Sequence, residues 1–89
     1  MKQRYLEVTY RNGKMLAAYL YLPRNPDDKA ARSERREGGL VIDYASDGRA
    51  IGIEFTSPSH ISLDALNGVL SVVNQAPITS AELAPLTAA

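Results

Sequence analysis

Alternating apolar and polar positions predict a β-hairpin between residues 39 and 55. The pair Asp47-Gly48 separates two alternating runs, a pattern typical of a two-residue type I′ turn. With these residues in the turn, one face would carry only apolar pairs: Leu40–Phe55, Ile42–Ile53 and Tyr44–Ile51. The other face would present Asp43 and Glu54 diagonally across the two strands. We therefore expect one buried face and one face with solvated carboxylates.

A second hairpin is predicted around Asn12-Gly13, with the pairs Tyr10–Met15, Val8–Ala17 and Leu6–Tyr19. Its returning strand, residues 15–22, is apolar on both faces, which favours an interior strand with a helix or a partner subunit over its second face. The five tyrosines fall at strand positions and are interpreted as core residues. Residues 32–37 are almost all charged, as in a polar edge strand that discourages edge-to-edge aggregation.

The C-terminal part predicts a helix over residues 62–75. Ser62 is the expected N-cap, Asp64 lies in the first turn, and an apolar stripe follows at Leu63, Leu66, Val69, Leu70 and Val73. Residues 77–89 are rich in Ala, Pro and Thr and predict a flexible tail with at most a short helical turn at 80–83. The predicted fold is α+β: two consecutive antiparallel hairpins form a small sheet with a C-terminal helix packed on it, in one domain over residues 1–76.

Composition restricts the class of protein. The chain has 89 residues, of which 45% are hydrophobic and 22% charged, as expected for one soluble globular domain. It has no cysteine, which excludes disulfides, thiolate metal sites and a cysteine nucleophile. No apolar run approaches the length that spans a bilayer, so we expect a cytoplasmic protein without membrane contact.

Charge is balanced overall but unevenly distributed. Residues 1–37 hold nine Lys/Arg and five Asp/Glu, a net charge of +4, whereas residues 38–89 hold one Arg and five Asp/Glu, a net charge of −4. Such asymmetry can guide association with a charged partner or a second copy, although a solvated edge strand alone would also explain it. Glu34 and Glu37 offset the arginines at positions 32, 35 and 36, so we expect no nucleic-acid partner.

The candidate chemical groups form no recognisable catalytic motif. His60 lies near Ser59 and Ser62, but the spacing shows no set of nucleophile, base and orienting group. Asp43 and Glu54 could act as an acid/base pair or bind a hard cation, yet exposed carboxylates on an outer sheet face are far commoner. We therefore predict no catalytic residue, no cofactor and no metal site.

Residues 39–59 resemble the domain-of-unknown-function 2283 family of small bacterial proteins. The resemblance rests on the segments Val41-Ile42-Asp43-Tyr44, Ser46-Asp47-Gly48-Arg49 and Ile51-Gly52-Ile53-Glu54-Phe55. Ala17-Ala18-Tyr19-Leu20 echoes the family's first hairpin, although the acidic residues usual in that turn are absent. The resemblance implies a compact antiparallel sheet with a helix and no established activity. An association of the family with toxin-type neighbours would allow an antitoxin-like role.

Together, these features predict a non-enzymatic protein-binding or regulatory accessory module, with a protein partner or a homodimer. The candidate partner-binding residues are Asp43, Glu54, Arg32, Arg35 and Arg36. The alternative is a small ligand-binding or hydrolytic protein that builds its site at a dimer interface from Asp43, Glu54 and His60. A purely structural subunit is the third interpretation.

Overall fold

A computed structural model describes residues 3–87 of the chain. Within these residues the chain forms a five-stranded antiparallel sheet, in the order β1-β2-β5-β4-β3, together with three short helical elements. The elements are β1 (Tyr5–Arg11), β2 (Lys14–Tyr21), β3 (Arg32–Arg36), β4 (Leu40–Tyr44), β5 (Ala50–Phe55), a 3₁₀ helix (Pro58–His60), α1 (Leu63–Val72) and α2 (Ala84–Thr87). The predicted α+β class is confirmed. None of the helices in this part of the chain is long and apolar enough to cross a membrane.

The two predicted hairpins lie side by side because β5 pairs with β2. Leu20 pairs with Ile53 and Ala18 with Phe55, so β5 is bonded to a strand on each side. The predictions of an interior β2 and of a charged edge strand at β3 are both confirmed. The remaining edge of the sheet is β1.

The β4–β5 hairpin follows the predicted register except next to its turn. Leu40 pairs with Phe55 and Ile42 with Ile53, but Tyr44 pairs with Ala50, so the predicted Tyr44–Ile51 pair is wrong. The reason is the turn. The Gly48 N–H donates to the Ala45 carbonyl at 3.0 Å, and Gly48 has a φ of 92°. The loop therefore contains three residues, 46–48, instead of the predicted two, and Ala45 pairs with Arg49. A separate bulge at Ile51 in β5 restores the predicted register from the Asp43–Gly52 pair onwards.

The β1–β2 hairpin shows the converse pattern. Its turn is as predicted, with positive φ at Asn12 and Gly13 and with Tyr10 opposite Met15. A bulge then shifts the register: Val8 pairs with Ala18 and Leu6 with Leu20, so the pairs predicted with Ala17 and Tyr19 are wrong. The shift places the alternate side chains of Ala18 and Leu20 in β2, and of Leu22 just after it, in the core and leaves the extra residue, Leu16, exposed.

The core lies between the sheet and α1, on what we call the inner face of the sheet. Its buried residues come from β2 and the residue after it, from β4 and β5, and from α1: Ala18, Leu20, Leu22, Leu40, Ile42, Ile53, Phe55, Leu66, Val69 and Leu70. The Ser62 hydroxyl accepts a hydrogen bond from the Ala65 N–H at 3.2 Å, which confirms the predicted N-cap. The helix ends at Val72, close to the left-handed residue Asn74, whose φ is 59°.

The C-terminal segment differs from the predicted flexible tail. Ile78, Leu83 and Leu86 are all buried in the same core. The Asn67 side-chain amide holds the start of this segment, since its Oδ1 accepts from the Ile78 N–H at 2.7 Å and its Nδ2 donates to the Ile78 carbonyl at 3.2 Å. The core therefore extends past residue 77. Residues 88 and 89 of the predicted tail lie outside the described residues.

Candidate functional site: the outer face of the sheet

The sheet surface opposite α1, which we call the outer face, carries two rows of side chains. Each row crosses all five strands because the registers of the neighbouring pairs align. The first row, from β1 to β3, is Tyr5, Tyr21, Gly52, Asp43 and Ser33, and the second is Glu7, Tyr19, Glu54, Val41 and Arg35. The buried side chains of α1 and of the C-terminal segment all pack on the inner face. The outer face is thus the open surface of the fold.

Three tyrosines form an ordered aromatic group on the outer face. The Tyr5 and Tyr21 rings stack with centroids 4.6 Å apart and planes inclined by 20°. The Tyr19 ring meets Tyr21 edge-on, with centroids 4.7 Å apart. The Arg24 guanidinium lies 5.7 Å from the Tyr21 ring centroid, and the Tyr21 hydroxyl donates to Glu7 at 3.4 Å. These contacts hold large, amphipathic rings in one arrangement while Tyr5 stays half exposed.

A polar chain of contacts links four strands across this face. Tyr19 reaches from β2 over β5 and donates its hydroxyl proton to Asp43 Oδ2 at 2.8 Å. The Ser33 hydroxyl on β3 donates to the other carboxylate oxygen of Asp43 at 2.6 Å. Only glycine fits beneath the tyrosine, because a Cβ on Gly52 would lie 1.9 Å from the Tyr19 hydroxyl oxygen. We call Tyr19, Gly52, Asp43 and Ser33 the cross-sheet link.

The environment of Tyr19 keeps its hydroxyl protonated. Burial, followed by the hydrogen bond to Asp43 and the charge of that carboxylate, raises the pKa of Tyr19 well above its ordinary value of 10.0. The phenol is therefore a neutral hydrogen-bond donor at physiological pH rather than a base or a nucleophile. Asp43, in turn, has both oxygens occupied. Asp43 lies on the outer face, as predicted, but it is only partly exposed and both of its oxygens accept hydrogen bonds from side chains.

The other predicted partner-binding residues divide between the two faces. Glu54 is exposed at the centre of the outer face, as expected, and the register places Arg35 at the end of the same row. Arg32 pairs with Tyr44 towards the inner side, and its guanidinium lies 4.0 Å from the Tyr44 ring centroid. Arg36 also belongs to the inner side and binds Glu34 on its own strand at 3.0 Å. The arginines do not form one basic patch.

His60 does not join the carboxylates of the outer face in the sequence-predicted arrangement. It lies beyond the end of β5, in the 3₁₀ helix, where its ring Nδ1 is 3.0 Å from the Ser59 hydroxyl and its side chain is exposed. Across residues 3–87, no three His, Cys, Asp or Glu side chains gather closely enough to hold a metal ion. No observation on a single chain therefore favours the hydrolytic alternative.

Sequence reasoning missed the aromatic part of this face. It interpreted the tyrosines as core residues, whereas Tyr5 is 49% exposed and Tyr21 is only partly buried. The alternation of β2 carries the missing signal, because Tyr19 and Tyr21 alternate with Ala18, Leu20 and Leu22. The wholly apolar set fills the core, and the tyrosines lie on the other face. The bulge at Leu16 hid this division by changing the apparent partners on β1.

A known protein family matches four of the five strands of the sheet. Residues 17–57 match the model of a family described as a protein of unknown function (DUF2283). The resemblance to the DUF2283 family is thereby confirmed. The DUF2283 match runs from within β2 to just past β5 and contains the whole cross-sheet link, whereas β1, α1 and the C-terminal segment lie outside it. No curated protein and no solved structure matches the chain significantly.

Proposed function

We propose that this chain is a non-enzymatic protein-binding accessory module of the cytoplasm, and that the outer face of its sheet is the contact surface. The observation that carries the proposal is the ordered group of partly exposed tyrosines on the face opposite to the one on which α1 and the C-terminal segment pack. Tyrosine is enriched at protein interfaces because it offers a large contact area with few rotatable bonds.

The aromatic group is already arranged for binding. Tyr21 is contacted by two neighbouring rings and is hydrogen-bonded to Glu7, so its side chain would lose little conformational freedom in a complex. Binding is opposed by the ordering of side chains at the interface, by about 0.5–1.5 kcal/mol for each one immobilised. A surface whose side chains are already ordered avoids much of this loss of conformational entropy.

The charges of the outer face indicate the chemistry of the partner. Glu7, Asp43 and Glu54 follow its two central rows of side chains, with Arg35 at the β3 end and the Arg24 guanidinium over the Tyr21 ring. Glu54 is exposed and forms no hydrogen bond or ion pair with the described residues. A complementary partner would bring Lys or Arg side chains to Glu54 and Glu7 and could stack an Arg on the tyrosines.

The resemblance to a family with toxin-type neighbours makes a protein encoded beside this gene the first partner to test. The experiment co-expresses the two proteins, purifies the complex and measures its dissociation constant with three variants of this chain. Tyr21→Ala and Glu54→Lys alter the outer face. Glu37→Lys makes the same charge change at an exposed position of the β3–β4 turn and serves as the matched control.

We expect Tyr21→Ala and Glu54→Lys each to weaken the complex by about tenfold or more, as for central interface residues, and Glu37→Lys to leave it nearly unchanged. A complex that tolerates both outer-face variants would show that the partner binds elsewhere. A complex weakened equally by all three would show only a general charge effect. Either result would contradict the proposal.

A further inference from the structure

The two edges of the sheet carry very different side chains. Four of the five residues of β3 are charged, which is how natural sheets block pairing at an edge. Of the seven residues of β1, only Glu7 and Arg11 are charged. Of the four large hydrophobic side chains that are exposed in residues 3–87, Tyr5 and Tyr10 lie on β1 and Leu16 lies in the adjoining bulge. The β1 edge is therefore long, largely apolar and open.

The β1 edge is also held in place and unpaired. Within the described residues, its only backbone hydrogen bonds are those of the ladder with β2. Side-chain contacts fasten both ends of the strand to the C-terminal segment: Tyr10 donates its hydroxyl proton to the Pro85 carbonyl at 3.1 Å, and Arg4 donates to the Pro77 carbonyl at 2.9 Å. A strand fixed in this way presents its outer backbone groups ready for another strand.

We propose that β1 pairs antiparallel with β1 of a second copy of this chain, centred on Val8. The positions that then lie opposite each other are Val8 with Val8, Glu7 with Thr9, Leu6 with Tyr10 and Tyr5 with Arg11, each pair occurring twice except the first. Apolar residues face apolar residues, and the Arg11 guanidinium meets the face of a tyrosine ring. No two like charges are opposed.

Neighbouring registers are poorer. Centring the pair on Glu7 would place two carboxylates directly opposite each other, which destabilises a sheet. Centring it on Thr9 would place Glu7 opposite Arg11, but it would pair only residues 7–11 and leave Tyr5 and Leu6 without a strand partner. The register on Val8 uses the whole strand. Because the two-fold axis is perpendicular to the sheet, both copies keep their α1 helices on the same side and their outer faces form one continuous surface.

The pairing of Glu7 with Thr9 can be tested, because a positive and a negative side chain at position 9 should change the dimer affinity in opposite directions. Thr9 is exposed, so a charged side chain there fits the monomer. The self-association of the purified chain is measured by sedimentation equilibrium as a function of concentration for wild type, Thr9→Lys and Thr9→Glu. In the proposed dimer, Lys at position 9 meets Glu7 of the second copy, whereas Glu at position 9 meets a like charge, twice in each case.

We expect a dimer in the wild type, a tighter dimer in Thr9→Lys and a weaker one in Thr9→Glu, with the dissociation constants of the two variants about tenfold or more apart. Glu7→Lys combined with Thr9→Glu places opposite charges at the same pair with the signs exchanged, and should dimerise about as tightly as Thr9→Lys. Arg35→Glu, a charge reversal on the β3 edge, should leave the dimer unchanged. Far-UV circular dichroism establishes that each variant is folded.

Two outcomes would overturn the inference. A wild-type chain that stays monomeric at every concentration would exclude the dimer. A dimer in which both Thr9 variants change the affinity in the same direction, or in which neither changes it, would place the contact in another register or on another surface. Since these measurements contain the chain alone, their failure would leave the proposed heterologous partner of the outer face untouched.

Discussion

Gly52 is the residue on which the outer face depends most directly. It lies beneath the Tyr19 side chain, and the space that a Cβ would need is already taken by the phenol oxygen. The tyrosine can therefore cross β5 and bond to Asp43 on the next strand. At this position the glycine is required for a close approach between a side chain and the backbone, and its φ is not in the left-handed region.

This leads to a prediction for Gly52→Ala. The added methyl group must displace the Tyr19 ring and break its hydrogen bond to Asp43, so we expect a loss of about 1–3 kcal/mol in the free energy of unfolding. Urea unfolding measures this change. In a Tyr19→Ala background the same substitution meets no ring and should be much less destabilising. Equal losses in the two backgrounds would show that Gly52 and Tyr19 do not interact.

At the residue scale, the sequence predicts those contacts that depend on near neighbours in the chain. The pairing of Asp43 with Gly52 and the cap at Ser62 follow from a short turn and a short motif. The bond from Tyr19 to Asp43 could not be predicted, because it requires β2 and β5 to be adjacent and the intervening position to be a glycine. The adjacency of these strands is a property of the whole sheet.

At the scale of elements, both hairpins contain a bulge that the pattern of apolar and polar residues does not reveal. The apolar and polar positions of β1 and β2 fit two registers, and Leu16 can face either side in the sequence. Burial decides between them, because Leu20 and Leu22 bring no polar atom into the core, whereas the hydroxyls of Tyr19 and Tyr21 would need buried hydrogen-bond partners there. Register was therefore predictable near the Asn12-Gly13 turn and far from the Asp47-Gly48 turn, but not across either bulge.

The long β2–β3 connection is fastened to the β4–β5 turn through Arg49. Its guanidinium binds both oxygens of Asp28, at 2.8 Å and 3.0 Å, and its Nε binds Asp47 at 2.7 Å. The hydrogen bonds from Arg49 hold the pKa of Asp28 and the pKa of Asp47 below their ordinary value of 3.8. The connection is also bonded to the sheet at its two ends, by the Leu22 N–H to the Ile51 carbonyl and the Ala31 N–H to the Tyr44 carbonyl, and the Arg49 cluster holds its middle.

We predict that Arg49→Gln lowers the stability of the fold in a pH-dependent way. A carboxylate with a lowered pKa contributes stability above its unfolded pKa and loses it as the pH falls through the folded value. The difference between wild type and Arg49→Gln should therefore be full at neutral pH and shrink as the pH falls below about 4. Urea midpoints across this range measure it. Arg35→Gln, which removes a cation that forms no ion pair with residues 3–87, is the control, and a difference that persists unchanged in acid would contradict the role of Arg49.

The C-terminal segment supplies another prediction at this scale. Leu83 is fully buried in the core although its surroundings in the sequence suggested a flexible tail. Leu83→Ala should lower the free energy of unfolding by about 2–5 kcal/mol, as for other large buried side chains. Ala84→Ser, at an exposed neighbour, should change it little. Comparable unfolding midpoints for the two variants would show that the segment does not stabilise the core and behaves as a tail.

At the scale of the molecule, the sheet separates three kinds of surface. The inner face is covered by α1 and the C-terminal segment, the outer face is open and aromatic, and the two edges differ in charge. The α+β architecture and the identity of the β3 edge were predictable because they follow from the order and composition of the strands. The exposed character of β1 was not, because it becomes visible only when β2 is seen to pair with β5 on its other side.

This separation predicts a pattern of amide hydrogen exchange. β5 is bonded on both sides and its side chains Ile51, Ile53 and Phe55 are buried, so its amides should exchange most slowly and report global unfolding. β3 should exchange fastest among the strands. If β1 pairs with a second copy, the protection of residues 5–11 should rise with protein concentration while that of β3 stays constant. Mass spectrometry of peptic fragments at two concentrations measures both edges in one experiment, and equal behaviour of the two edges would contradict pairing through β1.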